Sequence, residues 1–140
     1  MKSNFKRTVP TKYKLHDVLK ANDPVFDDMK HSVLLGTDIF ISTSRFEGHP
    51  MAVIEAMAYG IPCILTKGTN MLDKLVQYDA GWETELDSKE IGKTIITAID
   101  EKEQIIEKGT NAKKLVEENY TWNIVAKKTV ENYNTIMSEK

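Results

Sequence analysis

Two acidic side chains, Glu47 and Glu55, are separated by seven residues in a part of the chain that is otherwise mostly apolar. From Pro50 to Leu65, Glu55 is the only charged residue, so it lies on a helix whose neighbours are expected to pack inside. An unpaired carboxylate is costly to bury, and such a position must therefore offer it hydrogen-bond donors. The sequence predicts that Glu55 accepts hydrogen bonds from groups of the protein or from a ligand rich in hydroxyl groups.

A helix start follows directly after Glu47. Pro50 suits the first turn of a helix, where its missing N–H costs nothing, and Gly60 suits the end of that helix. The unpaired amides of a helix start favour a phosphate or a sugar hydroxyl. Glu47 would accept hydrogen bonds from ring hydroxyls, and Glu55 a bidentate pair from a diol such as a ribose. The two carboxylates do not face each other across one glycosidic bond, so we do not interpret them as the acid and nucleophile of a hydrolase.

Each of these residues also has a purely structural interpretation. Glu55 would then hydrogen-bond to a neighbouring loop, and Glu47 would stabilise the following helix start by its charge. We favour ligand binding for both. His49 directly precedes Pro50, and we expect it to have a positioning or incidental role rather than that of a general base.

Short apolar runs alternate with helical patterns along the chain. Residues 38–42, 61–66 and 81–84 predict strands, the first two of them buried. Helical patterns precede Gly36, follow Asp87, and cover residues 50–60, 71–78, 103–119 and 122–137. This alternation is typical of the α/β class, in which a short parallel sheet is flanked by helices.

Two of the helices have specific start signals. Asp87 followed by Glu90 resembles a capping box with Asp in place of the usual Ser or Thr, and Thr121 is expected to cap the last helix. Trp82 and Trp122 are expected to pack in the core or between helices. The helix after Asp87 carries an apolar stripe that is predicted to be buried and consists of Ile91, Ile95, Ile96 and Ile99.

The predicted topology brings two loops to one edge of the sheet. Ligands of parallel α/β sheets bind beyond the carboxyl ends of the strands. The loop over residues 43–48, the helix start at Pro50 and the turn over residues 67–70 all follow strand ends. We therefore expect Glu47, the amides after it and this turn to lie close together.

The segment Asp38–Pro50, continued by Glu55–Pro62, closely resembles the motif of family 4 retaining glycosyltransferases, which have the GT-B fold. Glu47 and Glu55 match the two acidic positions of that motif. The similarity extends more loosely to the end of the chain and includes Tyr120-Thr121-Trp122. It predicts a truncated Rossmann-like domain, the carboxyl-terminal donor-binding part of such an enzyme, with further carboxyl-terminal helices.

A nucleotide-sugar site is what the resemblance implies. Glu47 would bind hydroxyls of the donor sugar, and Glu55 would bind the ribose of the nucleotide. Backbone amides after the first acid would contact sugar and phosphate, and the residues concerned are Gly48, His49, Pro50 and Met51. The donor would be a UDP- or GDP-sugar, no metal or other cofactor would be required, and no residue is assigned a catalytic role.

Two parts of such an enzyme have no convincing counterpart in the sequence. The family's donor-binding domain also brings an Arg and a Lys, upstream of the motif, to hold the diphosphate. In members of the family, an acceptor-binding domain precedes the donor-binding domain. The prediction is therefore a fragment of a retaining glycosyltransferase, which transfers a hexose to a glycan or lipid when an amino-terminal domain or a partner chain supplies the rest.

An alternative hypothesis is a noncatalytic interaction subunit. An incomplete sheet exposes an edge or an apolar face, which favours docking on a partner chain or self-association. A third hypothesis, a dinucleotide-dependent oxidoreductase, is excluded because no G-x-G-x-x-G turn follows a strand.

Composition sets the remaining expectations. At 140 residues, with 41% hydrophobic and 29% charged residues, the chain is expected to form one soluble domain. We expect a cytoplasmic protein, because the first ten residues lack the apolar centre of a secretory signal and no apolar window is long enough to span a membrane. The single cysteine, Cys63, is predicted to be a buried, unreactive thiol on a strand.

The charges are distributed unevenly. Residues 1–20 contain six Lys or Arg against Asp17, net +5, which leaves 13 basic and 20 acidic residues, net −7, in the remainder. We expect residues 1–24 to form a solvated, loosely ordered basic arm that would permit peripheral contact with an anionic membrane. The acidic remainder argues against nucleic-acid binding, and one Cys with scattered His argues against a metal site.

Overall fold

Three parallel strands form the sheet in the computed structural model, which describes residue 20 and residues 23–138. The strands are β1 (Phe40–Ser42), β2 (Cys63–Thr66) and β3 (Gly81–Thr84), in the spatial order β1-β2-β3. Cys63 is opposite Phe40 on one side and Gly81 on the other. All three strands lie within the ranges that the sequence predicted.

Six helices accompany the sheet in the described part of the chain. They are α1 (Asp27–Leu35), α2 (Met51–Ala58), α3 (Leu72–Tyr78), α4 (Ser88–Asp100), α5 (Lys102–Asn119) and α6 (Trp122–Ser138). Together with the parallel sheet they confirm the predicted α/β class. The part of the chain that the structure describes divides into two units between residues 33 and 34, and the second contains the whole sheet and α2 to α6. Most of the basic arm predicted over residues 1–24 lies outside the described residues.

The core of the second unit is built around β2. Every residue of this central strand is buried. Helices α2, α3 and α5 supply the apolar side chains that pack with it. The cluster includes Val53, Met57, Leu65, Leu75 and Leu115. A buried parallel strand needs such apolar cover on its faces, which explains why Ile61–Leu65 reads as a continuous apolar run.

Glycine determines how α2 ends and what lies against its end. Gly60 has a φ of +76°, and its N–H donates to the Met57 carbonyl at 2.9 Å, while the Ile61 N–H donates to the Ala56 carbonyl at 3.2 Å. These bonds form a Schellman motif, which confirms Gly60 as the helix stop. On α5, a Cβ at Gly109 would lie 2.2 Å from the Gly60 carbonyl oxygen, so only glycine lets α5 approach this closely.

The predicted start of α4 is also confirmed. One Asp87 carboxylate oxygen accepts hydrogen bonds from the N–H groups of Lys89, at 2.9 Å, and Glu90, at 3.2 Å. The Glu90 carboxylate instead binds the Lys93 ammonium at 2.6 Å. Asp87 therefore caps the helix.

Several apolar residues that were predicted to be buried are exposed. Ile41 in β1, Ile96 and Ile99 on α4, and Trp122 at the start of α6 are 42%, 61%, 50% and 88% exposed, respectively. Phe26, just before α1, and Met29 and Val33 on α1 are exposed as well, although their spacing in the sequence is that of one helical face. An apolar stripe predicts a helix reliably, but its burial depends on whether the tertiary structure places another surface against it. Trp82 follows its prediction, since it is half-buried and its indole N–H donates to Glu101 at 2.9 Å.

Candidate functional site

The two loops at the carboxyl ends of β1 and β2 are joined backbone to backbone. The Glu47 N–H donates to the Gly68 carbonyl at 2.8 Å, and the Asn70 N–H donates to the Glu47 carbonyl at 3.0 Å. These bonds make a parallel bridge between Glu47 and Thr69, beyond the regular strands. The prediction that the two loops lie together is confirmed, and the backbone at Glu47 is held as firmly as in a strand.

Side chains strengthen the junction between these loops. The Thr66 hydroxyl donates to the Ser44 carbonyl at 2.7 Å, and the Asn70 side-chain amide donates to the Gly48 carbonyl at 3.0 Å. A Cβ at Gly68 would lie 2.3 Å from the carbonyl oxygens of both Ser44 and Arg45. Glycine at 68 is therefore required for the two loops to meet.

The Glu47 carboxylate is half-buried and oriented by two serines. Its Oε2 atom accepts hydrogen bonds from the hydroxyls of Ser44, at 3.2 Å, and Ser42, at 3.4 Å. No side chain caps the start of α2, so Glu47 does not serve that helix as a hydrogen-bonding cap. Sequence reasoning did not identify Ser42 and Ser44, although both lie within five residues of Glu47 along the chain.

The start of α2 presents backbone amides beside this carboxylate. The first intrahelical bond runs from the Ile54 N–H to the Pro50 carbonyl at 3.0 Å, and the Met51 N–H donates to the His49 carbonyl at 2.9 Å. The amides of Ala52 and Val53 come too early in the helix to have an intrahelical acceptor. Pro50 itself is fully buried, so it contributes by setting the backbone rather than by exposing its ring.

The space next to Gly48 is open. A Cβ built there would have no atom within 4 Å, so no protein contact requires glycine at this position. Gly48 and His49 are exposed, and Met51 is 62% exposed. The residues assigned to sugar binding after Glu47 are thus accessible, apart from Pro50.

Glu55 does not lie on the inner face of α2. That face consists of Val53, Ile54, Ala56 and Met57, which are buried. Glu55 is half-buried and shares the outer stripe with Met51, Ala52 and Ala58, which are exposed. The expectation that its neighbours pack inside therefore holds for the inner face of α2 alone, because the alanine and methionine side chains of the outer stripe are apolar although they face solvent.

A residue distant in sequence approaches this edge. The ring of Tyr120 lies 6.4 Å from the ring of His49, centroid to centroid, and the Lys74 ammonium lies 5.1 Å from the Tyr120 centroid. Lys74 also donates to the Asn119 side-chain carbonyl at 2.6 Å. Partial burial raises the pKa of Tyr120 and lowers the pKa of Lys74, which Lys128 lowers further. No local sequence signal connects Tyr120 to His49.

The positive charge at this edge is already partly compensated. The Lys67 ammonium lies 2.5 Å from Glu85, and this hydrogen bond and charge raise the pKa of Lys67. Arg45 is exposed.

Among the described residues, no group of three or more His, Cys, Asp or Glu side chains is placed to hold a metal ion. Burial raises the pKa of the Cys63 thiol to about 12, in agreement with the predicted unreactive thiol.

A parallel sheet whose carboxyl-end loops meet a helix start defines a Rossmann-like α/β domain. The chain belongs to the family described as Glycosyl transferases group 1, whose sequence profile matches residues 11–120. The predicted resemblance to the carboxyl-terminal part of a GT-B glycosyltransferase is thereby confirmed.

Two similar proteins agree with this assignment. A UDP-Gal:alpha-D-GlcNAc-diphosphoundecaprenol alpha-1,3-galactosyltransferase from Escherichia coli is 40% identical over 45 residues, which are 31% of this chain and 12% of that protein. The structure of sucrose-phosphate synthase from Thermosynechococcus elongatus superposes with a TM-score of 0.78 at 18% identity. The superposition covers 93% of this chain and 33% of the chain of that synthase. At this identity it supports the fold alone.

The chain thus spans about a third of the length of the solved structure that it matches. No helix in the described part of the chain has the length and apolar character needed to cross a membrane.

Proposed function

We propose that this chain is the donor-binding part of a retaining glycosyltransferase. It would bind a nucleotide diphosphate sugar and, together with an acceptor-binding domain, transfer a hexose to a hydroxyl group of a glycan or lipid. The observation that carries this proposal is the Glu47 carboxylate, fixed by Ser42 and Ser44 beside the open helix start of α2. A carboxylate accepts hydrogen bonds from sugar hydroxyls, and the N–H groups at a helix start donate hydrogen bonds to a phosphate.

Each element of the site has a distinct role in the proposal. Glu47 holds hydroxyls of the hexose, the backbone from Gly48 to Met51 contacts sugar and phosphate, and Glu55 accepts both ribose hydroxyls. The open space at Gly48 supports close approach of a ligand to the backbone. The name of the Escherichia coli relative contains a UDP-galactose donor and a lipid diphosphate acceptor, which favours a UDP-sugar here.

Chemistry at this site needs a positive charge for the leaving diphosphate. Lys67 is engaged by Glu85, so it is a poor source of that charge. We infer that cations other than Lys67 complete the site. No metal or further cofactor is needed for the donor contacts proposed for Glu47 and Glu55.

The apolar surface of α6 supports a requirement for a second domain. All of its side chains apart from that of Ile124 are exposed, and its principal contact is with α5. An amphipathic helix with an uncovered apolar stripe marks an interaction surface. The stripe contains Trp122, Val125, Val130, Tyr133, Ile136 and Met137. We propose that it packs on the acceptor-binding domain, within one polypeptide or on a partner chain.

Amide chemical shifts during a titration with UDP-galactose, and separately with GDP-mannose, test donor binding. We expect saturable shifts near Glu47 and Glu55 with one of the two donors. Glu55→Gln should weaken binding about tenfold, because a charge-assisted hydrogen bond contributes about 1.5–3 kcal/mol and part of it is screened. The matched control is Glu117→Gln, an exposed acid on α5 that should leave affinity unchanged. A folded chain without saturable shifts contradicts the proposal.

The alternative, a noncatalytic subunit, makes a different prediction. Such a subunit would bind a partner chain with no dependence on nucleotide sugar. Light scattering of this chain mixed with the product of the neighbouring gene separates the two hypotheses. Complex formation without any donor binding favours the subunit, whereas donor binding that the Glu55→Gln variant weakens favours the transferase.

A further inference from the structure

A cleft opens beside the turn that follows β2. Its volume is about 460 Å³, within the range of about 300–1,000 Å³ that is usual for small-molecule sites. Residues from the turn after β2, from α3 and from β3 line it. The polar and charged side chains among them are Lys67, Thr69, Asn70, Asp73 and Glu83.

Thr69 in the wall of this cleft has an unsatisfied hydroxyl. The residue is 1% exposed, and its Oγ1 is the one buried side-chain oxygen or nitrogen among the described residues without a hydrogen-bond partner. Leaving a buried hydroxyl unpaired is unfavourable, and such groups in native proteins have a specific reason. Thr69 is among the residues that line the cleft, so its hydroxyl is a candidate group to bind a ligand there.

The charges of the lining select the ligand. Asp73 and Glu83 are exposed acids, while the ammonium of Lys67 is engaged by Glu85. This balance disfavours a phosphate or another anion. Carboxylates accept hydroxyl hydrogen bonds, and the apolar side chain of Val76, 56% exposed, offers a surface for the apolar face of a sugar ring. The lining therefore fits a neutral, hydroxyl-rich molecule.

The cleft adjoins the donor edge, by which we mean the loops after β1 and β2, residues 43–50 and 67–70, at which donor binding is proposed. Thr69 is bridged to Glu47, and the Asn70 side chain donates to the Gly48 carbonyl. A sugar in the cleft would therefore lie next to the residues proposed to hold the donor hexose. We propose that this cleft is an acceptor subsite that complements the acceptor-binding domain and binds a neutral sugar unit of the glycan acceptor through Thr69, Asp73 and Glu83. This inference rests on the proposed glycosyltransferase function.

Amide shifts during titration with neutral methyl hexosides and N-acetylglucosamine test the subsite, and inorganic phosphate is the negative probe. We expect saturable shifts around Asp73 and Glu83 with at least one sugar and none around these two residues with phosphate. The double variant Asp73→Asn/Glu83→Gln should weaken sugar binding at least tenfold. The matched control, Asp100→Asn on the exposed side of α4, should not change it. Absence of saturable shifts, or binding that ignores the double variant, overturns the proposal.

Thr69→Val provides a second, independent measurement. Valine has nearly the same shape as threonine, so it removes the unsatisfied hydroxyl without leaving a cavity. We expect a higher Tm for the chain without sugar together with weaker sugar binding, and Thr69→Ser should retain the affinity. A lower Tm would show that the hydroxyl is already satisfied and would overturn the proposal. A higher Tm with unchanged sugar affinity would overturn it as well.

The donor titration with UDP-galactose and GDP-mannose distinguishes failure of the subsite from failure of the proposed function. Donor binding that depends on Glu55, without sugar binding in the cleft, overturns the subsite alone. Sugar binding in the cleft without donor binding overturns the role as an acceptor subsite and the proposed function together. Both ligands binding, with separate sets of shifted amides, supports both.

Discussion

The donor edge and helix α6 are organised in opposite ways. At the donor edge, Glu47 is held by two backbone hydrogen bonds and two serine hydroxyls, all from within the same unit. Helix α6 exposes almost every side chain, including large apolar ones. The comparison indicates that the position of Glu47 is fixed by contacts within its own unit, whereas the apolar side chains of α6 are left exposed.

Gly68→Ala should have the largest effect, because residue 68 lies where the loops after β1 and β2 meet. The new methyl group would overlap two backbone oxygens, which cannot move like the end of a flexible side chain. We expect a loss of about 1–3 kcal/mol in the free energy of unfolding and loss of donor binding. Denaturant titration and the donor titration measure these effects. The control, Gly92→Ala on α4, meets no atom within 4 Å and should stabilise by up to about 1 kcal/mol.

Alkaline pH should destabilise the folded chain through the buried thiol of Cys63 in β2. The folded state holds the Cys63 proton up to about pH 12, whereas the unfolded thiol loses it near pH 9. Because the unfolded state binds fewer protons in this interval, stability falls as pH rises, by about 1.4 kcal/mol per pH unit.

Urea denaturation at pH 8 and pH 10 measures this loss, and Cys63→Ala removes the contribution of the thiol while other groups still titrate. We expect a smaller pH dependence in the variant. An identical pH dependence in both proteins would contradict the assignment to Cys63.

Ser44→Ala tests whether the Ser44 hydroxyl positions the Glu47 carboxylate. It removes the nearer of the two hydroxyls that orient Glu47. We expect donor affinity to fall about fivefold, corresponding to about 1 kcal/mol, with little change in the overall fold. Calorimetric titration with the donor measures the affinity, and Ser88→Ala, at an exposed position at the start of α4, is the control. Equal affinities for both variants would show that Ser44 does not position the carboxylate.

Ile136→Ser on α6 should have the smallest effect on this chain alone. The side chain is 59% exposed, so we expect the free energy of unfolding to change by no more than about 0.5 kcal/mol. The contrasting variant is Leu115→Ala on α5, at a fully buried position where truncation costs about 2–5 kcal/mol. Denaturant titration compares them. A large cost for Ile136→Ser would show that the apolar stripe is already covered.

Helix and strand positions were largely predictable because their signals are local. The Asp87 cap and the Gly60 stop depend on atoms within a few residues, and both are found as predicted. The site was predictable to the level of which loops meet, since parallel strands place their carboxyl ends together. Ser42, Ser44 and the Asn70 side chain were missed, because serine and asparagine near a loop have no pattern that specifies their partners.

The sequence by itself determined the order of strands and helices, the family, and the two acids on which the proposed site depends. Only the tertiary structure decided that Glu55 lies on the outer stripe of α2, that Tyr120 approaches His49, and that α6 stays uncovered. The physical reason is the distance along the chain over which each kind of interaction acts. Caps, turns and periodicity act over a few residues, whereas burial depends on which distant surfaces the folded chain brings together.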